Sequence, residues 1–186
     1  MEDRVQLVWS PPELDEVHAR DTSVVVQELF ARARATVLIS TYALDKKEKA
    51  LALFGALASR MDAEPNLMVR VFVNIHRTPG DTTDSDRMVR EFAAHIRKNV
   101  WPGERLPDLY YDPRSLETEG NQRAVLHAKA VVVDGRYTLL TSANFTEAAQ
   151  ERNIEAGVLI DDVRLAGRVT QQFDRLAAMK LVRPLL

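Results

Sequence analysis

The chain has 186 residues, 46% of them hydrophobic and 28% charged, which is enough to bury a core and argues against both a membrane-embedded and a disordered chain. It contains no cysteine, which excludes disulfides and thiolate metal sites and suits a reducing cytoplasm. A formal charge of −2 excludes the overall basic surface with which many proteins grip long nucleic acid, so any phosphate-binding patch must be local.

The start, Met1-Glu2-Asp3-Arg4, is polar, and the longest helix-like apolar run, Ala50 to Ala58, is nine residues where a membrane span needs about 20. No signal peptide or membrane span is expected, and a cytoplasmic location is. Val5 to Trp9 reads as a short strand stopped by Pro11-Pro12. A helix follows from Asp21 to about Arg34, with Asp21, Thr22 and Ser23 as candidate caps and Val25, Leu29 and Ala33 on one stripe. Ala35 to Tyr42 is β-branched and reads as a buried strand, Glu48 to Met61 as a helix and Leu67 to Asn74 as another strand. His76 to Ser85 is a polar loop broken at Pro79-Gly80. A helix from Asp84 to Lys98 carries Met88, Phe92 and Ile96 at four-residue spacing and ends before Trp101-Pro102-Gly103. Leu109 to Tyr111 reads as a short strand and Asp112 to Asn121 as a loop. Arg123 to Val133 and Tyr137 to Thr141 form a hairpin around Asp134-Gly135. Asn153 to Ile160 is a further strand and Val163 to Met179 a final helix. No repeat or linker interrupts residues 1–186, which read as one domain. Alternating strands and helices give α/β layering, and the late hairpin makes the sheet mixed.

The chemistry concentrates in His127-Ala128-Lys129 and in Ser142, Asn144 and Glu155 downstream. Strand side chains alternate faces, so an extended segment 125–133 projects His127 and Lys129 from one face, between the small residues Ala128 and Ala130. An imidazole beside an ammonium suits a phosphodiester: the amine neutralises non-bridging oxygens while the ring attacks phosphorus. Ser142 and Asn144 follow directly on the partner strand. Their hydroxyl and amide can donate to the same phosphate, or instead cap a loop or a helix entered at Thr146. Glu155 can accept an imidazole Nδ1–H and fix the tautomer that leaves Nε2 free, or be an ordinary exposed strand residue. The hairpin gathers 127–129 and 142–144 at one sheet end only if its register allows. Asp134 falls on the other parity, at the turn, and reads as a structural turn former with Gly135. His76 and His95, with Asp81, Asp84 and Asp86 nearby, show no His-x-x-x-His spacing, so neither a metal nor another cofactor is expected. Trp9 and Trp101 read as core or lid packing rather than as stacking platforms.

The pattern His-x-Lys-(x)4-Asp, then Ser-x-Asn, then Glu eleven residues beyond Asn144, resembles the phospholipase D superfamily, including its small bacterial endonucleases. The residues that carry it are His127, Lys129, Asp134, Ser142, Asn144 and Glu155, within LHAKAVVVDGRYTLLTSANFTEAA. The resemblance is dense over about 120–160, looser over 21–75 and absent from 76–120. Thr141 departs from it, standing where many members place Gly.

The resemblance implies an α/β/α sandwich with a mixed, largely parallel β-sheet. It also implies a metal-independent, two-step phosphoryl transfer in which His127 forms a covalent phosphohistidine and a second histidine serves the leaving group and then water. His18, His76 and His95 lack a lysine two residues later, so the chain has one such motif. The second half-site is therefore expected from a homodimer with twofold symmetry, or from a different partner protein. Nucleic acid, DNA or RNA, is the expected substrate, and a phage-defence or restriction complex a possible setting. The alternatives are a phospholipid phosphodiesterase or phosphatidyl transferase, and a non-catalytic nucleic-acid-binding subunit of a defence complex.

Overall fold

The computed structural model describes residues 4–10, 18–44, 47–118 and 123–185. The Pro11-Pro12 breaker and the end of the 112–121 loop lie outside the described residues. Within them, nine strands form one mixed sheet. In chain order these are β1 (Val5–Trp9), β2 (Arg20–Asp21), β3 (Thr36–Thr41), β4 (Met68–Val73), β5 (Asp108–Tyr111), β6 (Ala130–Val133), β7 (Tyr137–Thr141), β8 (Ala156–Asp161) and β9 (Arg183–Pro184). Their spatial order is β2-β1-β8-β7-β6-β3-β4-β5-β9.

The centre of the sheet follows from composition. TVLIST in β3 and AVVV in β6 are β-branched runs whose backbones pair antiparallel, and both strands are covered on two faces. Helix α2 (Lys47–Ala63) carries the chain from β3 to β4 and helix α3 (Ser85–Asn99) from β4 to β5, which makes both pairings parallel. Beyond β5 the chain returns by hairpins, and β6-β7-β8-β1 is antiparallel throughout. The expectation of a largely parallel sheet is thus corrected. Of the eight pairings among the described residues, only β1–β2, β3–β4 and β4–β5 are parallel, because helical crossovers serve only β3 to β5.

Helix α1 (Thr22–Arg32) begins where Asp21 accepts the Val24 N–H at 2.9 Å. It packs with α2 and α3 on one face of the sheet, where Phe30, Phe54 and Leu57 meet Val37, Ile39, Val71 and Val131. Among the described residues, helix α4 (Val163–Ala178) covers the other face alone, with Ala166 and Phe173 over Leu38, Phe72 and Val132. The sandwich is therefore uneven. On the α4 side, Leu7, Val158 and Leu140 form one row across β1, β8 and β7, and Leu7 and Leu140 remain 40% and 37% exposed.

One feature went unread in the sequence because it rests on a single side chain. Arg77 is 2% exposed in the loop read as merely polar. Its guanidinium donates to the Leu116, Asp81 and Thr83 carbonyls at 2.7–2.8 Å and to Ser85 Oγ at 2.9 Å, replacing water with four protein oxygens. Trp101 is core, 5.6 Å from Phe54 ring to ring, with its indole N–H on the Arg105 carbonyl.

Asp134 and Gly135 have φ of 51° and 60°, the paired positive values of a tight hairpin turn. The Asp134 carboxylate accepts the backbone N–H groups of Arg34, Ala35 and Thr36 at 2.8–3.2 Å, joining the β6–β7 turn to the start of β3. Asp134→Ala strands these donors and should cost about 1–3 kcal/mol. In urea unfolding, the midpoint should fall with an unchanged slope, and Asp134→Asn, which keeps one acceptor and tolerates positive φ, should fall less.

Candidate active site

The strands order the site by where they stop. β3 and β7 end, and β6 and β8 begin, at one edge of the sheet, so residues 127–129, 142–144 and 155 meet there. The hairpin register supplies the required coincidence: Ala130 pairs with Leu140, and Thr141 N–H still reaches the Lys129 carbonyl at 3.2 Å.

The approach to His127 is not a strand, contrary to the reading of 123–133. Strand β6 begins only at Ala130, because the preceding backbone finds side chains instead of a ladder. Asn74 Oδ1 accepts the Leu126 N–H at 3.3 Å, and Ser40 Oγ donates to the Ala128 carbonyl at 2.9 Å. Even so, His127 and Lys129 lie on one side. Lys129 Nζ sits 2.9 Å from His127 Nδ1, 3.2 Å from Nε2 and 2.9 Å from the His127 carbonyl oxygen. The imidazole is exposed, and the Tyr42 ring lies tilted against it at 5.2 Å. Burial pushes the Lys129 ammonium below the ordinary lysine range, partly offset by the negative charge of Glu155.

Glu155 does not hold His127 within the chain, which corrects the expected tautomer-fixing contact. Its Oε2 accepts the Ser142 hydroxyl, while Oε1 lies 3.5 Å from Asn153 Nδ2. Strand β8 starts one residue after Glu155, leaving it on a connecting segment near Ser142. Ser142 also accepts the Ala156 N–H at 3.1 Å, so its hydroxyl is oriented between a backbone donor and a carboxylate. Asn144 is half-buried; its Oδ1 is buried and finds no hydrogen-bond partner among the described residues.

The segment between Ser142 and Glu155 is anchored by groups the sequence reading passed over. Phe145 inserts into the core, 5.6 Å from Phe54 and 6.2 Å from Phe30, and its N–H donates to Thr41 Oγ1 at 3.2 Å. Buried Gln150 donates to the Asn144 carbonyl at 2.9 Å from a single π-helical turn, Ala148–Arg152. Buried Ser10 donates to Ala149 O at 2.9 Å, and its N–H to Glu155 O at 3.0 Å. Gly157 admits no side chain, since a Cβ there would lie 2.8 Å from the Leu140 carbonyl. One signal for these roles was present: Ser40 and Thr41 are polar residues closing an otherwise apolar strand. Among the described residues, no three His, Asp or Glu side chains converge as a metal-ligand set.

Comparison with known proteins places this arrangement. Residues 26–177 match the family described as cardiolipin synthase, PLD-like domain. No curated protein sequence matches the chain. The fold is similar to the phospholipase D family member Nuc from Salmonella typhimurium, at 20% identity and a TM-score of 0.59, covering 97% of this chain and 96% of that one. NucT from Helicobacter pylori is 16% identical with a TM-score of 0.59, covering 92% and 94%. Phosphatidylserine synthase from Haemophilus influenzae is 16% identical with a TM-score of 0.61, and there 97% of this chain spans 39% of the larger one. With most of its length matched to that family and its mixed sheet shared with these structures, the chain belongs to the phospholipase D superfamily.

Proposed function

We propose that the chain is a phosphodiesterase that cleaves nucleic acid through a phosphohistidine on His127, with the whole chain as one domain and two copies completing the site. The observation that carries this reading is the Lys129 ammonium held within 3.2 Å of both nitrogens of an exposed imidazole. A cation so placed meets the non-bridging oxygens of any phosphate that the ring attacks. In the first step a His127 nitrogen bonds to phosphorus and the phosphorus–oxygen bond to the leaving strand breaks. The leaving oxygen takes a proton from a second imidazole. In the second step that imidazole removes a proton from water, whose oxygen attacks phosphorus and breaks the P–N bond. Lys129 neutralises the equatorial oxygens throughout, and the Asn144 amide and, on turning from Glu155, the Ser142 hydroxyl are the further donors. No step passes through a metal ion.

The second imidazole is the partner copy's His127. The row Leu7-Val158-Leu140, left open by α4, supports this, because it is an apolar sheet face that leads to Ser142 and Glu155 at the site edge. Nucleic acid is favoured over lipid because the fold matches Nuc and NucT over 96% and 94% of their lengths, against 39% of phosphatidylserine synthase. None of its described helices is long and apolar enough to cross a membrane.

Four measurements test this. With EDTA present, the wild type should cleave single- or double-stranded DNA or RNA in preference to phosphatidylcholine, and His127→Ala should lose on the order of 10⁴-fold in rate while keeping its fold. Acid-labile, base-stable label on His127 should appear in quenched turnover; lipid-only cleavage would remove the nuclease reading. Activity should also fall as pH rises through the depressed Lys129 titration, because loss of the ammonium removes the phosphate counter-charge. That alkaline limb should begin below the ordinary lysine value of about 10.4 and vanish in Lys129→Arg. Finally, Leu7→Glu with Leu140→Glu should yield a folded monomer by sedimentation that has lost turnover, whereas a fully active monomer would refute the shared site.

A further inference from the structure

Beside His127 lies a hollow of about 370 Å³ that the phosphoryl chemistry does not use. Its floor is apolar and fully packed, formed by Val73, Ile96 and Val100. Its rim carries the Tyr42 and Phe92 rings and the imidazoles of His76 and His95. Two of its lining residues are shared with the site. Tyr42 leans on the His127 ring at 5.2 Å, and Asn74 holds the Leu126 backbone at 3.3 Å. Whatever occupies the hollow is therefore next to the phosphate that His127 would attack.

We propose that this hollow seats a nucleobase flanking the scissile phosphate, so that the protein reads unpaired strands through their bases. The inference rests on the phosphodiesterase reading above and adds the substrate class. A base has an apolar face and a polar edge, and the hollow offers both: aromatic side chains over an aliphatic floor, with hydrogen-bonding groups at its border. The volume is at the low end for ligand pockets and fits one ring system. His95 Nδ1 lies 3.1 Å from Asn99 Nδ2, so the amide donates to Nδ1 and Nε2–H is left as the donor of that ring. The Asn74 carbonyl oxygen is engaged by Leu126, so the group that buried Asn74 can turn to an occupant as a second donor is its NH₂. Two donors suit the carbonyls of a pyrimidine or guanine. An acyl chain would leave them unpaired, at a cost that favours the base. Stacked pairing buries the base faces within a duplex, so only an unpaired nucleotide can enter.

The test uses the full-length chain carrying His127→Ala, which binds without turnover, and two oligonucleotides of equal length and charge: oligothymidylate and a fully abasic strand. Oligothymidylate should bind at least about tenfold tighter. Combining Phe92→Leu with His95→Ala should shrink that gap to roughly twofold while leaving abasic binding in place. His95→Ala alone, at an exposed position, decides the matter if the Phe92 variant fails to fold. Equal affinity for both strands overturns the proposal, as does a gap that neither variant narrows, or no binding to either strand. Binding to phosphatidylglycerol vesicles that Phe92→Leu weakens, with no dependence on bases, would overturn it in favour of a lipid. Cleavage of diesters by the wild type is read separately, so the base subsite can fail while the phosphodiesterase reading survives, and the reverse.

Discussion

Two side-chain hydrogen bonds, Ser40 to the Ala128 carbonyl and the Leu126 N–H to Asn74, set the position of His127. They form where the sheet ladder gives out, so the segment before β6 is neither strand nor free loop. A ladder would satisfy every second backbone group towards a neighbouring strand and hold the chain inside the sheet. Here the same groups are met from below by β3 and β4, and the chain rises above the sheet edge with its imidazole in solvent. The Lys129 ammonium then folds back onto the ring, partly desolvated, with Glu155 as its counter-charge.

The remaining framework is arranged so that this edge does not shift. Phe145 is driven into the aromatic cluster with Phe30 and Phe54, which fixes Asn144 one residue before it. Ser10 and Gln150 tie the return segment to β1 and to Asn144. At the opposite end of the sheet, Asp134 gathers three amides from the start of β3 and fixes the relative height of β3 and β6. The motif aspartate therefore lies at the sheet end opposite His127 and Lys129, where it holds strand register.

Most of the architecture was legible in the sequence because period and β-branching govern it. Strands β3, β4 and β7 and helices α1, α3 and α4 lie within one or two residues of where pattern placed them. The Asp134-Gly135 turn, marked by its residue types, is where positive φ occurs. What escaped were features without a pattern. Two-residue strands such as β2 and β9 have no period to show, and a buried arginine such as Arg77 looks in sequence like any loop residue. The sheet is mixed, as the late hairpin required, but less parallel than the resemblance implied, because only β3 to β5 are joined by helical crossovers. At the site, His127 and Lys129 were found on one side, as alternation required, although the segment is not laddered. Within one copy Glu155 meets Ser142 and not His127, because the spacing of a carboxylate along the chain does not say which hydroxyl or ring it meets.

The uneven layering has a dynamic meaning as well. Strands β3, β4 and β6 are sealed by helices above and below, so their amides should be released only when the whole domain opens. Among the described residues the β1–β8 flank has helix on one side only, and in a lone copy its amides can exchange through smaller, local openings. Association that covers Leu7, Val158 and Leu140 would close those openings and slow exchange on that flank, tying local rigidity beside the reactive edge to the state of assembly.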